Sequence, residues 1–367
     1  MKLKIWIGLL CLCILLGFIT IFQIYTQGFA LYAKTDVLVW TLPLATYIFF
    51  SLTSAGLAFV SSIPVVFGIK RYELIKKRTM FLELAVLLGS FVCLIMHLGS
   101  PLNLFYIIFS PNLASPLWWM GVLYSLYLVL LLMAFNQLHN QKSIYGLGVA
   151  IFLIAIATST TLGWLVGMTD ARPSLNPSFL TLYFPFTAFV SGLAALLLAG
   201  LLSGYFTGKL GDADTNDLYD EIARTLGITS GLVLVLLLWR SIIGGGSSAD
   251  LGFLAFKQMM GTISYNIQLW IGLLVPCVLM LLSGFRGTVW GKVTAASLVL
   301  IGMLAGRLEF ILSSEIMPLG QMAENLPDFV KYVPSASEWF VTLFGLSVVL
   351  LVYTLGDRFF RLDETPE

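Results

Sequence analysis

The residues best suited to chemistry in this sequence flank one uncharged stretch, Met96 to Gly121. His97 stands at its start, and a histidine can exchange a proton near neutral pH. Trp118 and Trp119 stand near its end, and aromatic walls with a few placed polar groups form slots for flat rings. The stretch therefore predicts a binding site with His97 as its proton-exchanging group and Trp118 as a wall. A histidine that only ties down a loop, and tryptophans that only anchor a helix at a membrane surface, are the alternatives.

Further ionisable residues lie inside strongly apolar segments, namely Glu83, Arg240, Arg307 and Glu309. Charges at such positions are costly in a membrane and are functional candidates by default. Arg307 and Glu309 are too close in sequence to face each other on a helix, so each needs a partner on another helix or water. These residues predict either a proton pathway or interhelical ion pairs.

The metal-binding residue types show no pattern of a metal site. The four cysteines form no CxxC pair, and none stands beside a histidine at metal-ligand spacing. His97 and His139 each stand at the end of a segment, and because neighbouring segments cross in opposite directions the two fall near opposite membrane surfaces. They therefore cannot jointly bind a haem. We therefore expect that this chain itself binds no metal and no haem.

The composition is typical of a multi-pass membrane protein. The 367 residues are 59% hydrophobic and 11% charged, whereas soluble domains have about 25% charged residues. The net charge of +1 and the lack of a basic face argue against nucleic-acid binding. We therefore expect an all-α protein embedded in the lipid bilayer, without a nucleic-acid partner.

About ten apolar segments are long enough to cross a bilayer, which requires about 20 residues per helix. Backbone groups in lipid must bond internally, which favours helices. The first segment is too long for a signal peptide and is expected to span the membrane. The predicted segments are 5–27, 38–68, 79–98, 117–138, 143–168, 179–207, 225–243, 264–284, 293–313 and 338–356.

Lysine and arginine predict the orientation of these segments. The connection 70–78 carries five basic residues, and Lys142 and Arg286 fall on the same side, whereas 99–116 carries none. Both termini are therefore expected in the cytoplasm, with 99–116 outside. The connection 208–224 is acidic although it falls on the cytoplasmic side. It is either a solvated loop or a docking site for a cytoplasmic partner.

Two segments share a motif that predicts an internal repeat. Residues 43–56 and 185–192 each contain a proline, an aromatic residue four positions later, and small residues that permit close helix approach. The repeat predicts two parallel four-helix bundles, formed by segments 2–5 and 6–9, with peripheral first and last helices. The predicted divisions are 1–37 for the first helix and outer loop, 38–178 and 179–313 for the bundles, and 314–367 for the last loop, helix and tail.

Several motifs resemble the membrane subunit of polysulfide reductase and its relatives, the NrfD-like family. They are HLGSP at 97–101, SPLWW at 115–119, and the end of segment five from Gly163 through Arg172. The run that starts at Tyr332 is similar to that of the family's ten-helix branch. The resemblance covers most of segments 2–10.

This resemblance implies a subunit of a respiratory oxidoreductase complex in a bacterial or archaeal inner membrane, not catalytic on its own. A quinone, expected to be menaquinone, would bind in the outer half of the first bundle. It would exchange electrons with an outer iron–sulfur subunit of the four-cluster ferredoxin-like type, which would contact molybdopterin or multihaem cytochrome c subunits. Carried onto this chain, the pocket comprises Tyr47, His97, Trp118, Thr161 and Arg172, with His97 as the catalytic residue.

Three positions depart from the family pattern. His97 replaces the usual acidic residue, Ser100 the usual arginine, and Thr161 a quinone-contacting tyrosine. If the complex conserves energy, Glu83, Arg240, Arg307 and Glu309 are the expected proton pathway. The alternatives are a secondary transporter with an internal repeat and a haem-bearing quinol oxidase subunit. Transporters with internal repeats often place charges and broken helices at the membrane midplane. In this chain the charges inside apolar segments lie mostly off-centre, and the Gly and Pro breaks cluster toward one face, which disfavours a transporter.

Overall fold

The described part of the chain is mainly helical and contains no β-strand. A computed structural model describes residues 2–168, 175–207, 213–246, 251–315 and 329–362. Within these ranges, ten helices are long and apolar enough to cross a membrane. The prediction of an all-α protein with about ten spanning helices is confirmed.

The ten spanning helices are numbered α1 to α10 in chain order. Short helices occur in several connections, among them Ile63–Val66 after the second span and Leu104–Phe109 after the third. The eighth span combines α-helical ends with a π-helical centre, Ile267–Leu274. The spans are α1 Lys2–Gln27, α2 Leu42–Ser61, α3 Glu73–His97, α4 Pro116–His139, α5 Tyr145–Gly167, α6 Pro177–Thr207, α7 Ala213–Gly246, α8 Ile263–Leu281, α9 Val289–Glu315 and α10 Ala336–Phe360.

Two helices begin well before their predicted apolar segments. α3 begins at Glu73 and α7 at Ala213, although 79 and 225 were the predicted starts. The added turns carry charges that a hydropathy criterion rejects. They are helical because the charges find partners: Lys76 pairs with Glu73 one turn away, and Arg71 pairs with Glu221 at 2.9 Å. The acidic residues at the start of α7 are also favoured by the helix dipole.

α2 and α6 cross at their shared small-residue motif. A Cβ atom on Gly56 would lie 1.8 Å from the carbonyl oxygen of Ala188, and one on Gly192 would lie 2.2 Å from the carbonyl carbon of Gly56. The two backbones are therefore in direct contact, which only residues without a side chain permit. The segments that predicted the repeat are thus packed against each other.

The other helices arrange themselves around this crossing. α2, α3, α4 and α5 form a ring in which each packs on the next and α5 returns to α2. α6, α7, α8 and α9 form a second ring in the same way. α10 packs on α3, and α1 packs on α10. The limits of the predicted domains stay a prediction.

Charged contacts identify one end of the molecule, which we call the inner end. Basic residues in and near α3 and α9 meet acidic residues of α7 and α10 there. This intramolecular pairing favours a solvated surface over a docking site for the acidic residues. The contacts are Arg71–Glu221 at 2.9 Å, Arg71–Asp217 at 3.9 Å, Arg78–Asp357 at 3.8 Å, and Lys292–Asp220.

The opposite, outer end is held by hydrogen bonds between loops. The backbone N–H of Leu42 donates to the Tyr332 hydroxyl at 2.8 Å, and the Ser335 hydroxyl donates to the carbonyl of Leu31 at 2.8 Å. The Tyr32 hydroxyl donates to the carbonyl of Met96 at 2.9 Å. The basic residues Arg71, Arg78 and Lys292 all lie at the inner end. The placement of that end in the cytoplasm stays a prediction.

Candidate functional site

A buried carboxyl group lies at the centre of the first helix ring. Glu83 of α3 is fully buried. The Tyr127 hydroxyl donates to its Oε1 at 2.8 Å, and the Ser61 hydroxyl donates to its Oε2 at 2.9 Å. The Ser54 hydroxyl donates to the Glu83 backbone carbonyl at 3.0 Å and lies 3.2 Å from the Tyr127 hydroxyl. Helices α2, α3 and α4 therefore share one hydroxyl–carboxyl cluster.

A second group of buried hydroxyls continues from this cluster toward the outer end. The rings of Tyr127 and Tyr124 lie 6.4 Å apart on α4. The Ser51 hydroxyl lies beside those of Tyr47 and Tyr124, and Thr158 lies beside Tyr124. Within the described ranges, the Ser51 and Tyr124 hydroxyls make no hydrogen bond of full geometry. Buried polar atoms without partners are rare and costly, so this group has hydrogen-bonding capacity to spare for a ligand.

Tyr47 lies at the outer side of these hydroxyls. Its ring is buried, and its hydroxyl donates to the sulfur of Met120 at 3.4 Å. A thioether is a weak acceptor, so this contact leaves the phenol available for a stronger one. Met120 and Trp118 are two positions apart on α4 and therefore point to different sides of that helix, so the Met120 contact orients Tyr47 toward α4 without pairing it with the tryptophans.

His97 ends α3 at the outer end of the molecule. Its Nδ1 atom is buried and has no hydrogen-bond partner among the described residues. The ring lies within electrostatic range of Lys34, which the loop between α1 and α2 supplies. Burial lowers the pKa of Lys34, while Glu338 and Glu315 raise it by a smaller amount. His97 therefore faces a cation that can discourage a second positive charge.

The remaining predicted pocket residues differ in how the structure places them. Trp118 is partly buried and packs edge-on against Trp119, with ring centroids 4.9 Å apart. The Trp119 indole N–H donates to the carbonyl of Leu113 at 2.9 Å and so fixes the end of the uncharged stretch. Thr161 is partly buried on α5. Arg172 lies outside the described residues.

The second helix ring contains an ion pair near its outer end. Arg240 of α7 donates to both oxygens of Glu309 on α9, at 3.0 and 3.3 Å. The Arg240 guanidinium also lies over the rings of Phe256 and Phe310, at 4.5 and 4.2 Å from their centroids. Charge and aromatic faces together stabilise this buried cation.

Arg307 points away from that pair, as its spacing from Glu309 predicts. Its Nη2 donates to the Thr187 hydroxyl of α6 at 2.6 Å, and the guanidinium lies 4.8 Å from the Phe184 ring centroid. Gln268, in the π-helical part of α8, donates to the Tyr183 hydroxyl at 3.0 Å. The Arg240–Glu309 pair and Arg307 thus occupy the second ring, whereas Glu83 occupies the first.

The structure adds residues that the sequence motifs did not indicate. Ser51 and Tyr124 lie beside Tyr47, and Thr158 stands one turn before Thr161 at the same cluster. Hydroxyl residues are common in membrane helices, so type alone could not single them out. Their presence on one face of α2 and α4 at helical spacing was the available signal.

The described residues include no group of three or more His, Cys, Asp or Glu placed to hold a metal ion. The polar atoms of the first ring are instead hydroxyl, carboxyl and imidazole groups. Such groups can donate to carbonyl oxygens of an organic ring and can hold or pass a proton. The cluster from Glu83 to the hydroxyls beside Tyr47 is therefore our candidate site, and His97 ends the same helix as Glu83 at the outer side.

Comparison with known proteins gives relatives along nearly the whole chain. The chain is 21% identical to a selenate reductase subunit of Mesobacillus selenatarsenatis, over 96% of this chain and 92% of the relative. It is 24% identical to an Hdr-like menaquinol oxidoreductase integral membrane subunit of Archaeoglobus fulgidus, over 84% of this chain and 81% of the relative. The family model described as polysulphide reductase, NrfD, matches residues 31–318. This multi-pass membrane chain therefore belongs to the polysulphide reductase NrfD family.

Proposed function

We propose that this protein is the quinone-reactive membrane subunit of a respiratory oxidoreductase complex. It exchanges electrons between membrane quinone, of the menaquinone type, and an iron–sulfur subunit at its outer end. The observation that carries the proposal is the line of buried hydroxyls beside Tyr47 in a chain of this family. A relative named as a menaquinol oxidoreductase subunit supports the choice of quinone.

The polar atoms of the first ring fit the head group of a quinone. Quinone and quinol differ by two electrons and two protons at the ring oxygens. In the described part of the chain the His97 Nδ1 atom is buried without a hydrogen-bond partner, and the Tyr124 hydroxyl makes no hydrogen bond of full geometry although Ser51 and Thr158 lie beside it. Each can hydrogen-bond a ring oxygen, and Tyr47 and Trp118 supply aromatic walls. Thr161 and Arg172 stay proposed members of this pocket.

In this proposal, His97 and the buried hydroxyls of Tyr124 and Tyr127 exchange protons with the quinone. His97 accepts a proton from quinol at the outer side and passes it on, because the neighbouring Lys34 charge disfavours a lasting imidazolium. The hydroxyls of Tyr124 and Tyr127 lead inward to the Glu83 carboxyl, which sits in the inner half of α3. In the second ring, Arg240, Arg307 and Glu309 complete the proposed pathway. The Glu83 cluster contacts α2, α3 and α4, whereas the Arg240–Glu309 pair and Arg307 contact α6, α7 and α9. In this proposal, proton translocation therefore uses the two groups in separate steps.

The outer end offers a surface for the proposed iron–sulfur partner. The segment between α3 and α4 exposes Leu102, Phe105, Phe109 and Leu113, all more than half exposed, and it lacks charged residues. Electrons would pass over this end to molybdopterin or multihaem cytochrome c subunits bound through the iron–sulfur protein. We place the assembly in the inner membrane of a bacterium or archaeon.

Binding of a quinone analogue to variants of the purified protein tests this proposal. We expect Tyr124→Phe and His97→Ala each to weaken binding by about tenfold, because each removes a hydrogen bond worth about 1 kcal/mol or more in a buried site. Tyr183→Phe is the matched control, since it removes a buried phenol in the second ring. Arg307→Ala is a second control.

Titration of the analogue by fluorescence quenching gives the dissociation constants. Normal affinity in both first-ring variants would overturn the pocket. Equal loss in the controls would place the ligand elsewhere. Thermal melting of each variant shows whether the fold is intact.

A further inference from the structure

A cavity lies at the inner end of the first ring, away from the proposed quinone pocket. Its volume is about 480 Å³. It opens where α3 begins, α4 ends and α5 begins, beneath the short helix Ile63–Val66. This level is the boundary between the hydrocarbon and the head groups, because the flanking helices have just left their apolar spans.

The wall of the cavity combines cations and hydrogen-bond donors with an apolar side. Lys76 and Lys142 line it, with Gln141 and Tyr145 as neutral donors. The apolar side is formed by Pro64, Val65, Leu138 and Ile144. The cations and hydrogen-bond donors suit a phosphate group. The apolar side suits the glycerol and the first acyl carbons of a lipid.

The charges of the cavity leave one cation in excess. Glu73 also lines it, and it pairs with Lys76 within the first turn of α3. No ion pair of Lys142 occurs in the ranges that the structure describes. The excess charge favours an anionic ligand over a zwitterionic one.

We propose that this cavity binds the phosphate-bearing head group of an anionic phospholipid. Basic pockets between spanning helices at the cytoplasmic interface bind such head groups. Lys142 contacts the phosphate, Gln141 and Tyr145 donate hydrogen bonds, and the apolar side holds the glycerol. Tyr145 is 68% exposed at this interface, where aromatic residues favour contact with head groups. The site is independent of the quinone function proposed above.

Native mass spectrometry of the intact protein measures this binding directly. Phosphatidylglycerol and phosphatidylcholine with the same acyl chains are titrated, and free glycerol phosphate is the water-soluble source of the same group. We expect tighter binding of phosphatidylglycerol, and Lys142→Ala to weaken it by about fivefold, as for one lysine near a membrane surface. Glu73→Gln removes the opposing charge and should tighten binding by a similar factor.

Lys4→Ala is the matched control. It removes one cation near the same end but on α1, which packs against α10 rather than the cavity. Binding in this variant should stay unchanged. Equal binding of the two phospholipids, or equal loss in Lys142→Ala and Lys4→Ala, would overturn the proposal. Saturation by glycerol phosphate at lipid concentrations would assign the cavity to a free anion instead. The opposite shifts of the Lys142 and Glu73 variants distinguish charge from misfolding.

Discussion

Gly56→Ala should strongly reduce the amount and stability of folded protein. The added methyl group would lie 1.8 Å from the carbonyl oxygen of Ala188 and cannot be placed without separating α2 from α6. Overpacking of a tight core costs about 1–3 kcal/mol, and a clash with backbone falls at the upper end or beyond. This crossing joins the two helix rings, so its loss should affect both.

Gly8→Ala is the matched control for this substitution. Gly8 is an interior helix position of α1 where an added Cβ meets no atom within 4 Å. Alanine there should be neutral or stabilising by up to about 1 kcal/mol, because it favours helix more than glycine does. Thermal melting of the two purified variants compares the sites. Equal melting temperatures would contradict the direct backbone contact at Gly56.

Glu309→Leu should strongly destabilise the second ring. It removes the carboxylate from Arg240 and leaves a guanidinium between the rings of Phe256 and Phe310. Removing one partner of a buried pair costs about 3–5 kcal/mol. The aromatic rings recover only part of that cost, since a cation–π contact contributes about 0.5–2 kcal/mol.

The double variant Arg240→Leu/Glu309→Leu completes the cycle. It removes both charges and should lose far less stability than Glu309→Leu alone. The free energy of unfolding, measured by denaturant titration in detergent, gives the coupling between the two residues. A double variant at least as unstable as the single one would show that the pair does not bear on stability in this way.

The sequence predicts the membrane architecture well because hydropathy measures the property that lipid selects. It misplaces the starts of α3 and α7, because the charges of Lys76 and Glu221 are neutralised by partners distant in sequence or one turn away. Pairing of that kind depends on tertiary contacts, which a window of hydropathy does not contain.

The candidate site is predictable only in part, for a related reason. Glu83 stands out from the sequence as an ionisable residue inside an apolar segment, and His97 stands out because the chain has only two histidines. Tyr127 and Ser61 do not, although both bond the Glu83 carboxyl. Hydroxyls become informative only when the fold places them around one acid. The family motifs indicate Thr161, whereas the hydroxyl beside Tyr124 belongs to Thr158, one turn earlier.

Photolabelling with a photoreactive menaquinone analogue tests the central claim most directly. The protein is illuminated in membranes with the analogue, with and without excess unlabelled menaquinone, and the labelled peptides are identified by mass spectrometry. The proposed pocket predicts competable label on α2 to α5, in peptides that carry Tyr47, His97 or Tyr124. Competable label confined to α6–α9, or label that excess menaquinone does not displace, would contradict it.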